Sequence, residues 1–171
     1  MTSARRQRKS VVAAIAARLA PPALALLLLA AVPGRGVEAA TTERVVSDVQ
    51  SGLALNGVDP VAYFTHAAPL YGHAEYEYRY AGVIWRFRNM GDQVAFVAHP
   101  EVYMPRYGGY DPIAIGRGVA VPGNPLVWAM VGERVYLFYD EKSRAQFLAR
   151  PNEAILAADT KWPAVLSALV P

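Results

Sequence analysis

The stretch Glu75-Tyr76-Glu77-Tyr78-Arg79-Tyr80-Ala81-Gly82-Val83-Ile84-Trp85-Arg86-Phe87-Arg88 decides the fold. Along its first arm three tyrosines share one face, with Glu75, Glu77 and Arg79 on the other; along its second, Trp85 and Phe87 oppose Arg86 and Arg88. A period of two is the signature of a strand. A two-residue turn at Ala81-Gly82 sets Tyr78 across from Trp85, Tyr76 across from Phe87, Glu77 across from Arg86 and Glu75 across from Arg88. Ring matching and charge matching thus select one register. Ala81 is a poor first residue for the favoured hairpin turns, so a longer loop is the alternative.

A second ribbon is expected over residues 126–131 and 134–139, around Gly132-Glu133, an order that suits a type II′ turn. Trp128 then meets Leu137 and Met130 meets Val135. Both faces of this ribbon are apolar, which predicts burial on both sides and a central place in a sheet. Helices fit around the ribbons. Asn89 caps one running to Ala98, ended by Pro100; Asp140 caps another, with Ala145, Phe147 and Leu148 inward, before Pro151. Asp59-Pro60 offers a cap followed by proline at the first helical position, so a short helical turn follows through Phe64. Residues 103–125, rich in Gly and Pro, read as irregular with one helical turn after Asp111. Residues 152–170 read as helical pieces broken at Trp162-Pro163. No internal repeat stands out beyond the two hairpins. The fold class is therefore α+β, a small antiparallel sheet of two hairpins with short helices packed against it.

All eighteen aromatic residues lie between Tyr63 and Trp162, so the core belongs to the later part of the 171-residue chain. The beginning differs in kind. Arg5, Arg6, Arg8 and Lys9 precede an apolar run over residues 19–32, and Val37-Glu38-Ala39 places small or modest residues where a signal peptidase reads. The run is shorter than the roughly 20 residues that span a bilayer. Residues 1–39 are read as a cleavable export signal, giving a periplasmic or secreted protein; an uncleaved membrane anchor is the alternative. Arg5-Arg6 lacks the apolar residues that follow a twin-arginine pair. Residues 40–51, polar and without period, read as a flexible tether, and the domain proper as residues 52–170. Beyond residue 39 the chain carries eleven Lys or Arg against thirteen Asp or Glu, a net charge of −2, with no basic cluster, which disfavours nucleic acid as a partner. It has no cysteine, so disulfides, thiolate metal sites and thiol catalysis are excluded.

Several ordered motifs resemble the YHS domain family in its exported, single-domain form. They are Gly57-Val58-Asp59-Pro60-Val61-Ala62-Tyr63-Phe64, Trp85-x-Phe87, the segment 96–100, Tyr103-x-Pro105-x-Tyr107-Gly108-Gly109-Tyr110, and Val135-Tyr136-Leu137-Phe138-Tyr139 leading into a helix. The resemblance covers roughly residues 52–165. It implies no particular activity. Similar exported members carry a cysteine after the Tyr-Gly-Gly-Tyr segment; here Asp111 stands there, and a hard oxygen replaces a soft sulfur.

Candidate chemistry concentrates in residues 103–111. Gly108 and Gly109 allow close backbone approach, while Tyr103, Tyr107 and Tyr110 offer flat faces with hydroxyl tips, so these five and Asp111 form the expected ligand-binding set. The structural reading of the same residues is a tight turn with tyrosines closing over the core. His66, His73 and His99 lack ligand spacing and read as surface residues; a metal site of His66, His73 and Asp111 is the alternative. Asp59 reads as a helix cap. The row Tyr76, Tyr78, Tyr80 with Trp85 and Phe87 reads as a core-facing sheet surface, a stacking platform being the other option. No triad, phosphate loop or paired carboxylates on one element stand in the sequence. The expectation is a non-enzymatic exported domain binding a small ligand or a protein partner, with no cofactor. A metal-binding accessory domain and an enzyme of unrecognised type are the rivals.

Overall fold

A computed structural model describes residues 43–169. The export signal, the anchor alternative and the first residues of the expected tether lie outside the described residues.

The alternating stretch forms strands β1 (His73–Tyr80) and β2 (Val83–Phe87). Tyr78 faces Trp85 and Glu77 faces Arg86, whose Nε donates to Glu77 Oε1 at 2.7 Å. The turn is the two-residue one: Ala81 takes φ 52° and Gly82 φ 84°, the paired left-handed conformation of a type I′ turn. Toward the start of β1 the expected register fails. Phe87 pairs with His73 rather than Tyr76, across a bulge between His73 and Glu77, so the expected pairing of Glu75 with Arg88 is lost as well. The cause is tertiary. Gly72 donates to Gly57 O at 2.9 Å and lies so close to β2 that a Cβ there would sit 2.5 Å from Phe87 N. The strand's entry point is thus set from outside the ribbon, and the bulge absorbs the surplus residues. The expected core-facing surface holds in part: Trp85 and Phe87 are fully buried and Tyr76 packs against the same core, while Tyr78 and Tyr80 are more than a third exposed.

The second ribbon joins β3 (Asn124–Val131) to β4 (Arg134–Phe138), with Trp128 opposite Leu137 and Met130 opposite Val135 as expected. Its turn is not type II′. Gly132 and Glu133 both take φ 57°, and II′ allows positive φ only at the first. Nor does the ribbon sit inside a larger sheet, since the two hairpins form separate two-stranded sheets. Its apolar faces have another reason. Val135 and Leu137 point into one core with Leu55, Val58, Tyr63 and Trp85, whereas Tyr136 and Phe138 point into a second with Tyr107, Tyr110, Ile115 and Phe147. Strand β4 is the wall between two cores.

Helices α1 (Ala62–Thr65), α2 (Met90–Ala98), α3 (Pro100–Tyr103), α4 (Pro112–Gly116), α5 (Glu141–Ala149) and α6 (Pro151–Ala168) complete the fold, with 3-10 turns at Leu55–Gly57 and Arg106–Gly109. The caps are those expected: Asn89 Oδ1 accepts from Asp92 N at 2.9 Å, and Asp140 Oδ1 from Ser143 N at 2.8 Å. Only Phe147 of α5 is buried; Ala145 and Leu148 face solvent, contrary to expectation. Helix α6 is unbroken through Pro163. Proline removes the bond to the Asp159 carbonyl, a loss of about 3 kcal/mol in an isolated helix, but Ala158, Trp162 and Val165 anchor the same helix in the second core. The expected tether is docked over residues 43–51. Val45 and Val46 are buried, Val46 N donates to Gly108 O at 2.8 Å and Leu55 N to Val46 O at 3.3 Å. Two adjacent valines supplied too short a pattern to read as a strand, yet both sides of the segment find cover.

An internal repeat, hidden in the sequence, is plain in the backbone. The order 3-10 turn, Asp-Pro helix, bulged hairpin, capped nine-residue helix and proline-opened helix occurs twice. Its hydrogen bonds recur too. Asp59 N donates to Leu70 O at 2.8 Å and Asp111 N to Val121 O at 2.9 Å; Gly72 N donates to Gly57 O at 2.9 Å and Gly123 N to Gly109 O at 3.0 Å. The isolated bridges Val58 with Tyr71 and Tyr110 with Pro122 correspond as well. Equivalent residues stand fifty-one or fifty-two positions apart, as with Asp59 and Asp111 or Phe96 and Phe147.

Candidate functional site

Residues 103–111 turn inward. Tyr107 and Tyr110 are buried, and Asp111 is 2 % exposed. Tyr107 Oη donates to Asp159 Oδ1 at 2.9 Å, an oxygen that also receives Arg106 Nη2 at 2.6 Å; its ring lies 5.5 Å from that of Trp162. Burial first, then the Asp159 carboxylate, raises the Tyr107 hydroxyl pKa above the ordinary phenol range. Tyr110 Oη donates to Glu43 O at 2.5 Å. The close approach that the glycines permit is made by the chain itself: a Cβ on Gly108, at φ +63°, would fall 2.0 Å from Arg44 O. Tyr103 stacks edge to face on Phe64 at 5.2 Å. Of the expected ligand-binding set, Tyr103, Tyr107, Gly108, Gly109 and Tyr110 hold residues 43–46, α1 and α6 in place.

Asp111 is committed to backbone. Its Oδ1 accepts from Ile113 N at 2.8 Å and Ala114 N at 3.3 Å, and its Oδ2 accepts from Tyr139 N at 2.9 Å. One side chain thus starts α4 and ties it to the end of β4. Asp59 makes the corresponding bonds in the first half, accepting from Val61 N and Arg88 N both at 2.8 Å, but it is not the cap expected of it: α1 begins only at Ala62, with Val61 at the N-cap position. Asp59 differs in having the Asp92 carboxyl beside it. Desolvation first, with the Asp92 carboxyl adding to it and the Arg88 and Val61 amide bonds opposing it, raises its pKa to about 6. The alternative metal set of His66, His73 and Asp111 does not converge; among the described residues no three His, Asp or Glu side chains gather as ligands. His66 Nδ1 instead meets the Thr65 hydroxyl at 2.8 Å, and His73 lies in β1 opposite Phe87. Among the described residues no helix is long and apolar enough to cross a membrane.

Two hollows that share lining residues lie beside α4, the two lobes of a candidate cleft: one of about 260 Å³ between α4, α5 and α6, and one of about 350 Å³ between α4, the end of the β3–β4 ribbon and α5. Pro112, Ile113, Gly116, Ala154 and Ala157 line the first lobe together with the exposed Arg150 and Glu153. Val121, Tyr139, Lys142 and Ser143 line the second, which Asp111 also borders. Ile113, Arg117 and Gln146 belong to both. The acids here are occupied: Asp111 by three amides, Asp140 by the Ser143 amide, Glu153 by Arg150 at 3.2 Å. Arg117 and Lys142 have no ion-pair partner among the described residues. Sequence reasoning missed all of these residues except Asp111, because isolated cations and alanines on short helices form no motif. The usable signal was the second Asp-Pro, which marks the repeat. Comparison of the chain with protein-family models, curated proteins and solved structures returns no match.

Proposed function

We propose that the chain is an exported, non-enzymatic binding domain of the YHS type, and that it seats a small ligand in the cleft between α4, α5 and α6. The observation that carries this reading is the composition of that cleft: apolar residues of α4 and α6 in one lobe, adjoining Gln146 and two cations, Arg117 and Lys142, that make no ion pair among the described residues. An apolar lining with a few converging polar groups is the common form of a small-molecule site. The non-enzymatic part of the reading rests on the same lining. General acid–base chemistry needs a group free to exchange a proton with a substrate, and the carboxyls here are engaged by backbone amides or by Arg150. The YHS assignment is supported by the ordered motifs from Gly57 to Tyr139, and export by the leader's composition.

The test is a fragment screen by amide chemical shifts on residues 40–171, using neutral, anionic and cationic fragments. Hits are expected to perturb the Gly116, Arg117, Gln146 and Ala154 amides saturably. Hits confined to Tyr78 and Tyr80, or none at the cleft, would refute the reading.

A further inference from the structure

The internal repeat supplies a control within the molecule, because every position lining the cleft except Ala157 has a counterpart in the first half. Gly116 corresponds to Phe64 and Ala154 to Tyr103. In the first half those two rings pack edge to face at 5.2 Å, between α1 and α3. In the second half the same place is held by a glycine and an alanine, and both line the cleft. The cations differ in the same way. Arg117, Lys142 and Arg150 stand where the first half has Thr65, Gly91 and His99. Arg150 comes with its own acid, Glu153 in place of Val102, and the first half's Arg88 is answered by Tyr139, so the difference that stands is one ring pair absent and two cations without an ion pair, Arg117 and Lys142, present beside the same helix.

We propose, resting on the binding reading above, that this cleft takes a small organic anion with an apolar body, a carboxylate on a short hydrocarbon chain. Arg117, shared by the two lobes, and Lys142 receive the head group through charge-assisted hydrogen bonds, with Gln146 as a neutral donor between them. The chain lies in the volume that Phe64 and Tyr103 occupy in the other half, over Ile113, Gly116 and Ala154. Each half of the ligand answers one half of the difference between the repeats: apolar body for missing rings, negative head for added cations.

The test titrates residues 40–171 with hexanoate, hexanol, hexylamine, acetate and inorganic phosphate, followed by amide shifts. Hexanoate is expected to shift Gly116, Arg117, Gln146 and Ala154 to saturation, at least tenfold more tightly than hexanol or acetate, with no response to hexylamine. The double variant R117A/K142A, both exposed residues, weakens hexanoate at least tenfold and leaves hexanol unchanged. Ala154→Tyr, which restores one ring of the first half, abolishes hexanoate binding with Tm maintained. Hexanol or hexylamine binding in the cleft as tightly as hexanoate, acetate or phosphate matching it, or an R117A/K142A variant that binds undiminished would overturn the anion assignment and leave the cleft standing. Failure of every probe to shift the cleft amides would overturn both.

Discussion

Replacing Asp111 with asparagine separates a structural carboxyl from a ligand-facing one. The side chain is buried and accepts three backbone N–H groups, two on Oδ1 and one on Oδ2. Asparagine keeps the shape but turns one oxygen into a donor. With its oxygen toward α4, its NH₂ confronts the Tyr139 amide, and that buried N–H is left unsatisfied, at about 1–3 kcal/mol. The bonds that survive also lose their charged acceptor, which roughly halves their strength. The sum is about 3 kcal/mol, a large share of the ~5–15 kcal/mol that holds an ordinary domain together. Urea unfolding followed by tryptophan fluorescence reads it as a lower midpoint with unchanged slope. Hydrogen exchange adds a local reading, since the Tyr139 amide loses its protection. Asp59→Asn is the internal control. It orphans the Arg88 amide equally, but it also relieves the carboxyl pair with Asp92, so it costs less at pH 7. A loss below ~1 kcal/mol for Asp111→Asn, with the Tyr139 amide still protected, would refute the reasoning.

Three further outcomes follow from the same contacts. Because Asp59 ionises near pH 6 in the fold against 3.8 unfolded, the folded state takes up a proton first as pH falls. Stability therefore rises from pH 7 through 6 and levels off below 3.8, by up to about 3 kcal/mol; equilibrium unfolding at a series of pH values checks this, and Asp59→Asn should flatten the rise. Gly108→Ala sets a Cβ against Arg44 O in a left-handed backbone, so it should cost about 2 kcal/mol or more and expose the Val46 amide to exchange, whereas unchanged protection there would show the segment is not docked through Gly108. Ala81→Asn gives the turn at φ 52° a residue suited to it and should stabilise by about 0.5–1 kcal/mol in thermal unfolding, since alanine bears the left-handed cost there.

Local order was legible where one period repeats or one cap is strong. The β1–β2 turn, the Glu77–Arg86 pair and the Asn89 and Asp140 caps each depend on residues within about a dozen positions. The bulges were not legible, because Gly72 and Gly123 are placed by Gly57 and Gly109, whose bonds cross loops with no pattern. The repeat escaped notice for a related reason. What the halves share is backbone scaffolding, namely Gly57 and Gly109, Asp59-Pro60 and Asp111-Pro112, Phe87 and Phe138, Pro100 and Pro151. Its facing residues have diverged. The segment 103–111 misled because glycines and tyrosines describe a close approach without saying to what. Here the answer is the chain's own residues 44–46 and α6.

The divergence between the ribbons also fixes how the halves depend on each other. At one pair of repeat positions the first ribbon has Glu77 opposite Arg86, both partly exposed, and the second has Trp128 opposite Leu137, packed into the first half's core. Tyr63 makes the dependence specific, its ring 5.1 Å from Trp128 and its hydroxyl donating to Pro125 O at 2.8 Å. The second half therefore lends one face of its ribbon to the first, and the first lends nothing equivalent in return. A single unit would leave Val135, Leu137 and Trp128 in water, so the second half is not a free-standing fold. The first half is in turn completed by a wall it does not encode. Under that arrangement the helical side of the second half carries less of the shared core, and it is there that an aromatic pair could give way to a cleft lined with cations.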